Sequence, residues 1–173
     1  MPPSPHEVTD FIQYPDQRLS TPATPPPVDA ALRDAGARLL AAAEAVQAYG
    51  LAAPHIGAVE PVVVISISEP DRRDYRLLYN PRIIATSGAE VPGKEGSVSM
   101  PGIEVDEMRP EHARIAFNDD AGAPHELDLS GFAARVAQHE IDQLNGVFFL
   151  SRLSRLKRDA AIKRFSKLGR RMG

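Results

Sequence analysis

"QHEIDQLNG", residues 138–146, is the stretch on which the reading of this chain turns. His139 and Glu140 stand together as in a helical metal site, where two histidines four residues apart share one face and the glutamate moves protons. Here the residue one turn on is Gln143, not a second histidine. The surrounding pattern predicts a helix from about Ser130 to Leu144, with Phe132, Val136 and Leu144 inward and Asn145-Gly146 as its stop. The stretch therefore reads either as a metal enzyme with an unusual ligand or as the remains of one.

Working outward, residues 1–27 hold eight of the sixteen prolines and read as an extended arm with one short strand at "DFIQY". Val28 to Tyr49 is Ala/Leu-rich, with Leu32, Leu39, Ala43 and Val46 at helical spacing, and Gly50 marks its end. "PVVVISI" (61–67) reads as a buried strand, and "YRLLYN" (75–80), "RIIATS" (82–87), "GIEVDEM" (102–108) and "HARIAFN" (112–118) follow with turn residues between them. Most connections are too short for crossover helices, so the pairing is expected to be mainly antiparallel. One domain over residues 1–173, built as α+β around the helix that carries His139 and Glu140, is the expected architecture.

The chain has no cysteine, which excludes disulfides, thiolate nucleophiles and thiolate metal ligands. Its net charge of −3 is uneven: residues 152–173 carry nine Lys/Arg against Asp159, leaving −11 on the remainder. This basic segment has the pattern of a terminal amphipathic helix, with Leu153, Leu156 and Phe165 toward the core. It suits either a polyanionic partner or a solvated helix face. No apolar run reaches membrane-spanning length and no signal-peptide core is visible, so the cytoplasm is the default compartment and no membrane contact is expected.

Three segments, "YGLAAPHIG" (49–57), "EGSVSMPG" (95–102) and "QHEIDQ" (138–143), resemble in order and separation the three signature motifs of the peptide deformylases. The resemblance extends to "YPDQRLSTPA" (14–23), "LLYNPRI" and "LNGVFF", and so covers nearly the whole chain. It implies the peptide-deformylase fold and removal of the formyl group from N-terminal methionine. It also implies an iron or zinc ion held by a cysteine and two histidines, with a glutamate for proton transfer.

Residue by residue, the resemblance places His139 as the first histidine, Glu140 as the acid/base and Gly50 and Leu51 in the retained backbone of the first motif. Ser97 stands at the cysteine position, Gln143 at the second histidine and His55 at the glutamine that holds the formyl oxygen. The backbone N–H of Val98 falls where the family has an oxyanion donor. Ala48 replaces a glycine and Glu104 a frequent arginine. A neutral hydroxyl and a neutral amide are weak substitutes for a thiolate and an imidazole, so no metal cofactor is expected.

The expected function is therefore a deformylase-like protein, inactive or strongly impaired, that serves in binding or regulation. The alternative is a hydrolase of N-formyl or N-acyl peptide-like substrates, through a weak metal site at His55 and His139 or a Ser97 dyad with either histidine. The expected partners are an N-acyl or peptide-like ligand in the cleft and, through the basic helix, the ribosome. His6, His112 and His125 read as surface histidines. Arg109 reads as a solvated arginine or a rim contact for substrate backbone.

Overall fold

A computed structural model describes residues 11–172, so His6 and residues 1–10 of the arm lie outside the described residues. The first helix, α1, runs Ala30–Val46 and opens where the Asp29 carboxylate accepts the Leu32 N–H at 2.8 Å. It closes before the expected Tyr49, because Gln47 turns left-handed at φ 53°. The Tyr75 hydroxyl then donates to the Ala48 carbonyl at 2.7 Å, with the Ala43 carbonyl 3.2 Å from the same oxygen. Leu32, Leu39 and Ala43 are buried as their spacing predicts, but Val46, in the last turn, is 39% exposed.

Five strands follow: β1 (Gly50–Ala52), β2 (Val62–Ser66), β3 (Tyr75–Gly96), β4 (Glu104–Asn118) and β5 (Pro124–Ser130). They pair antiparallel in chain order in one sheet. The four separate strands expected between 75 and 118 are two long ones. Asn80-Pro81 and Gly88, which read as turns, instead mark register shifts between Tyr79 and Arg82 and between Ser87 and Glu90. A bulge absorbs a residue in a left-handed or proline conformation without ending the strand. "HELDLS" supplies the fifth strand, which the sequence reading left unassigned.

The expected strand at "DFIQY" is not formed over its described residues 11–14. Ile12 N–H donates to the His55 carbonyl at 3.0 Å and Tyr14 N–H to the Ser99 carbonyl at 2.8 Å. Two bonds to two different segments hold the arm down without building a ladder.

Helix α2 (Gly131–Leu144) packs on one face of the sheet, α1 on the other. Alternation in β2 explains why its whole run is apolar. Val63 and Ile65 face α2 with Ala134, Ala137, Ile141 and Leu144, whereas Val62 and Val64 face α1 with Leu32 and Leu39. The architecture is α+β with a mainly antiparallel sheet and α2 central, as the sequence predicts.

The last helix, α3, runs Arg155–Met172. Ala161 and Phe165 lean on Met100, Ile103, Phe148 and Phe149, with Leu153 beside them. Leu156, expected on that face, is 83% exposed in the first turn. No helix among the described residues is long and apolar enough to cross a membrane. Leu39→Ala should cost about 2–5 kcal/mol in urea unfolding, whereas Val46→Ala should stay within about 0.5 kcal/mol.

Candidate functional site

Three elements converge on a cleft of about 420 Å³: β1, the Gly96–Val98 turn that ends β3, and the inner face of α2. Gly50 lets β1 approach α2 closely, since a Cβ there would lie 2.6 Å from Val136 Cγ1 and 3.1 Å from Glu140 Cγ. Leu51, Val98, Ile103, Phe132 and Val136 form the apolar walls. At the rim, the Phe132 and Tyr49 rings meet edge-to-face at 4.7 Å, and the Arg73 guanidinium lies 4.0 Å above Tyr49.

His55, Ser97, His139 and Glu140 are brought together around this cleft; Gln143 is not among the residues that line it. The Gln143 side chain is buried, and its amide nitrogen donates to the Leu19 carbonyl of the arm.

His55 is buried, with Nδ1 accepting the Ala52 N–H at 3.2 Å. A nitrogen that accepts carries no proton, so the neutral ring bears its proton on Nε2. That N–H faces Ser97 Oγ at 3.4 Å. Ser97 Oγ also accepts the Ser99 N–H at 3.1 Å, which leaves the serine proton to point elsewhere. Burial, followed by the charge of His139, pulls His55 down to about 3, so the imidazole stays neutral. Glu140 Oε1 lies 3.9 Å from His55 Nδ1, beyond hydrogen-bond reach, and is buried without a partner. Burial pushes the Glu140 carboxyl up to about 7, with Glu95 adding to the rise and His139 opposing it.

His139 donates from Nδ1 to Glu95 Oε1 at 2.8 Å. Burial lowers the basicity of this imidazole, but the Glu140 and Glu95 carboxylates outweigh it and hold the pKa above its ordinary value. Glu95 is the anchor of a buried ion-pair cluster. Arg109 grips it bidentately, Nε to Oε2 at 2.6 Å and Nη2 to Oε1 at 2.9 Å, and Arg135 Nη1 adds a bond of 2.7 Å. Arg109 also reaches Asp142 at 2.9 Å and Glu107 at 3.4 Å, and Arg152 bonds Asp142 at 3.3 Å.

Arg109 is therefore neither solvated nor a rim residue. It is 1% exposed and lies at the centre of the cluster. His112 and His125 are exposed as expected, and His125 pairs with Asp119 at 2.7 Å.

The Polypeptide deformylase family pattern matches residues 8–159. The chain belongs to the polypeptide deformylase family. A "Peptide deformylase-like" protein of Bradyrhizobium diazoefficiens is 40% identical over 164 residues, 94% of this chain and 95% of the relative. A "Peptide deformylase" of Alkalilimnicola ehrlichii is 37% identical, with 94% and 92% covered. The crystal structure of peptide deformylase from Ehrlichia chaffeensis in complex with actinonin superposes with a TM-score of 0.85 at 32% identity, over 92% of this chain and 96% of that one. These shares place the deformylase fold along nearly the whole chain.

Among the described residues, one group of three His, Asp or Glu side chains is close enough to share an ion: Glu95, Glu107 and His139, with donor atoms within 4.8 Å of one another. The geometry assigns it to the ion-pair cluster. Both Glu95 oxygens already accept from arginine, and His139 Nδ1 spends its proton on the same carboxylate. Arg109 and Arg135 supply the positive charge that an ion would bring.

The sequence reading gave Glu95, Glu107, Arg135 and Asp142 no role. Strand parity held the signal: Val105, Glu107 and Arg109 alternate onto one face of β4, and all three are buried.

Burial and then the neighbouring Glu95 push Glu107 up to about 8, so its contribution to stability is complete below its ordinary value of 4.5 and is lost as pH rises through 8. Glu107→Gln should therefore gain stability relative to the unaltered protein between about pH 5 and about pH 9, measured by urea unfolding at both.

Proposed function

We propose that this deformylase-family chain is inactive or strongly impaired as a deformylase and uses its cleft to bind a small N-acyl or peptide-like ligand. The reading is carried by the side chains at the positions that the resemblance assigns to the metal. Gln143 commits its amide N–H to Leu19 behind α2, and Ser97 is a neutral hydroxyl that already accepts two hydrogen-bond donors. A metal needs deprotonated, electron-rich ligands, and a complete structural zinc site is worth about 10–16 kcal/mol. Loss of two of three strong ligands costs roughly 5 kcal/mol or more, at least about three decades in affinity. The residues present do not fit the iron or zinc of the family.

The alternative hydrolase readings meet the His55 tautomer. With Nδ1 accepting from Ala52, Nε2 carries a proton toward Ser97 and cannot take one from it. The same proton blocks Nε2 as a metal ligand unless the Ala52 bond is given up. His139 lies on the cleft wall with its Nδ1 proton on Glu95.

The test is turnover of formyl-methionyl peptide with added ferrous or zinc ion. Negligible turnover is expected. Ser97→Cys with Gln143→His should restore metal binding, and His55→Gln on that background should raise activity further. Turnover by the unaltered protein at roughly 1 per second or faster, an ordinary enzyme rate, refutes the impairment.

The basic helix supports a second part of this reading, a ribosome contact. In α3, Lys163, Arg164, Lys167 and Arg170 are exposed while Ala161 and Phe165 hold the helix to the body. Contacts to RNA phosphates release counterions, so binding weakens steeply with salt. Co-sedimentation with ribosomes should fall from low to moderate salt, and further in Lys163→Glu/Lys167→Glu. Equal pelleting by the variant makes the helix purely structural.

A further inference from the structure

We propose that Leu168 of α3 is a positioning residue for the cleft: seated on Gly102, it holds the cleft wall from behind, so that RNA phosphate bound to the outer face of α3 firms the site on the inner side. The inference rests on the phosphate contact proposed for α3 and adds the regulation of the cleft through it.

Residues 97–103 connect β3 to β4 beyond the sheet ladder, whose last pair is Gly96 with Glu104. This connection carries Ser97, Val98, Gly102 and Ile103, all of which line the cleft. Within it, the Met100 N–H donates to the Ser97 carbonyl at 3.0 Å and the Ile103 N–H to the Met100 carbonyl at 3.3 Å. From outside, the arm donates Tyr14 N–H to the Ser99 carbonyl at 2.8 Å and Gln13 Nε2 to the Val98 carbonyl at 3.3 Å. Both arm bonds fall on the first half of the connection. The second half, with Gly102 and Ile103, leans on side-chain packing.

Helix α3 supplies that packing. Ala161, Phe165 and Leu168 follow one another at helical spacing and join Met100 and Ile103 in one apolar cluster. A Cβ on Gly102 would lie 2.8 Å from Leu168 Cδ1, and Gly102 is left-handed at φ 86°, so Leu168 covers bare backbone there. The Tyr14 ring meets Phe165 edge-on at 6.4 Å, which joins arm and helix behind the connection. Leu168 thus touches the back of a wall whose front is the cleft.

The outer face of α3 works against this seat. Lys163, Arg164, Lys167 and Arg170 are exposed at separations of three and four residues, and Asp159 is the one acidic residue of the helix. Like charges at these separations destabilise a helix. Phosphates that bridge the cations remove the repulsion without displacing Leu168, which is partly buried against Gly102. Binding outside therefore favours the ordered, seated helix, and such a coupling is reciprocal.

Hydrogen–deuterium exchange of the full-length protein, with and without a single-stranded oligouridylate at low salt, tests the inference. RNA is expected to slow exchange of residues 97–103 at least about fivefold. Leu168→Ala should speed exchange of 97–103 in the free protein, leave that of β2 unchanged and remove the RNA effect, although the variant still binds RNA. The comparison on the unaltered protein stands even where the variant fails to fold. Unchanged exchange of 97–103 with RNA bound overturns the coupling. An RNA effect that survives in folded Leu168→Ala overturns the assignment to Leu168, and faster exchange spread equally over β2 makes Leu168 a general stabiliser instead of a positioning residue. Absence of RNA binding overturns the phosphate contact, and this inference with it. None of these outcomes bears on the binding role of the cleft, because the measurement needs no cleft ligand.

Discussion

The structure around the cleft depends on one buried carboxylate, Glu95. It sits one residue before the end of β3, takes two bonds from Arg109 of β4 and one from Arg135 of α2, and accepts the Nδ1 proton of His139. Its negative charge could not persist at 6% exposure without those partners. The His139 and Arg109 bonds hold its pKa far below the usual carboxylate range, against the opposing effect of burial. Asp142, Arg152 and Glu107 extend the cluster so that three carboxyls face three guanidiniums and tie β3, β4, α2 and the turn before α3 together. Removal of Arg109 would leave the buried Glu95 charge without its bidentate partner.

The same bond fixes how the cleft is presented. A histidine whose Nδ1 proton is held by a carboxylate has its ring plane and tautomer set, as in metal sites where an outer carboxylate orients the ligand histidine. That orienting device is intact here, and so is the close approach of Gly50 to Glu140. In the proposed reading, what differs lies on either side of it. A serine hydroxyl accepts the Ser99 N–H in the turn after β3, and a glutamine amide fastens α2 to the arm at Leu19. Metal chemistry needs charged or readily deprotonated donors, whereas packing needs only satisfied polar groups. On that reading, Ser97 and Gln143 meet the second requirement and not the first.

Much of the fold was legible in the sequence because periodicity and motif order agree. β2 reads as a buried strand from its unbroken β-branched run, and α2 reads as a helix from Phe132, Val136 and Leu144. The misread elements share one cause, local signals overridden by longer-range contacts. Asn80-Pro81 and Gly88 look like turns but become bulges, because β4 pairs with β3 on both sides of them. Val46 looks inward, but Gln47 turns left-handed and Tyr75, distant in sequence, caps the carbonyls there. Arg109 looks like a surface cation because its partners Glu95 and Asp142 are 14 and 33 residues away. The tautomer of His55 could not be read from composition, since it rests on the Ala52 backbone N–H.

The central claim is that Ser97, His139 and Gln143 do not together hold the ion that their positions in this family imply. Elemental analysis of protein purified without chelators, after expression in medium supplemented with iron and zinc, tests it most directly. The account predicts well under one equivalent of iron, nickel or zinc per chain. One full equivalent, with X-ray absorption or a crystal structure placing the ion on Ser97, His139 and Gln143, would contradict it.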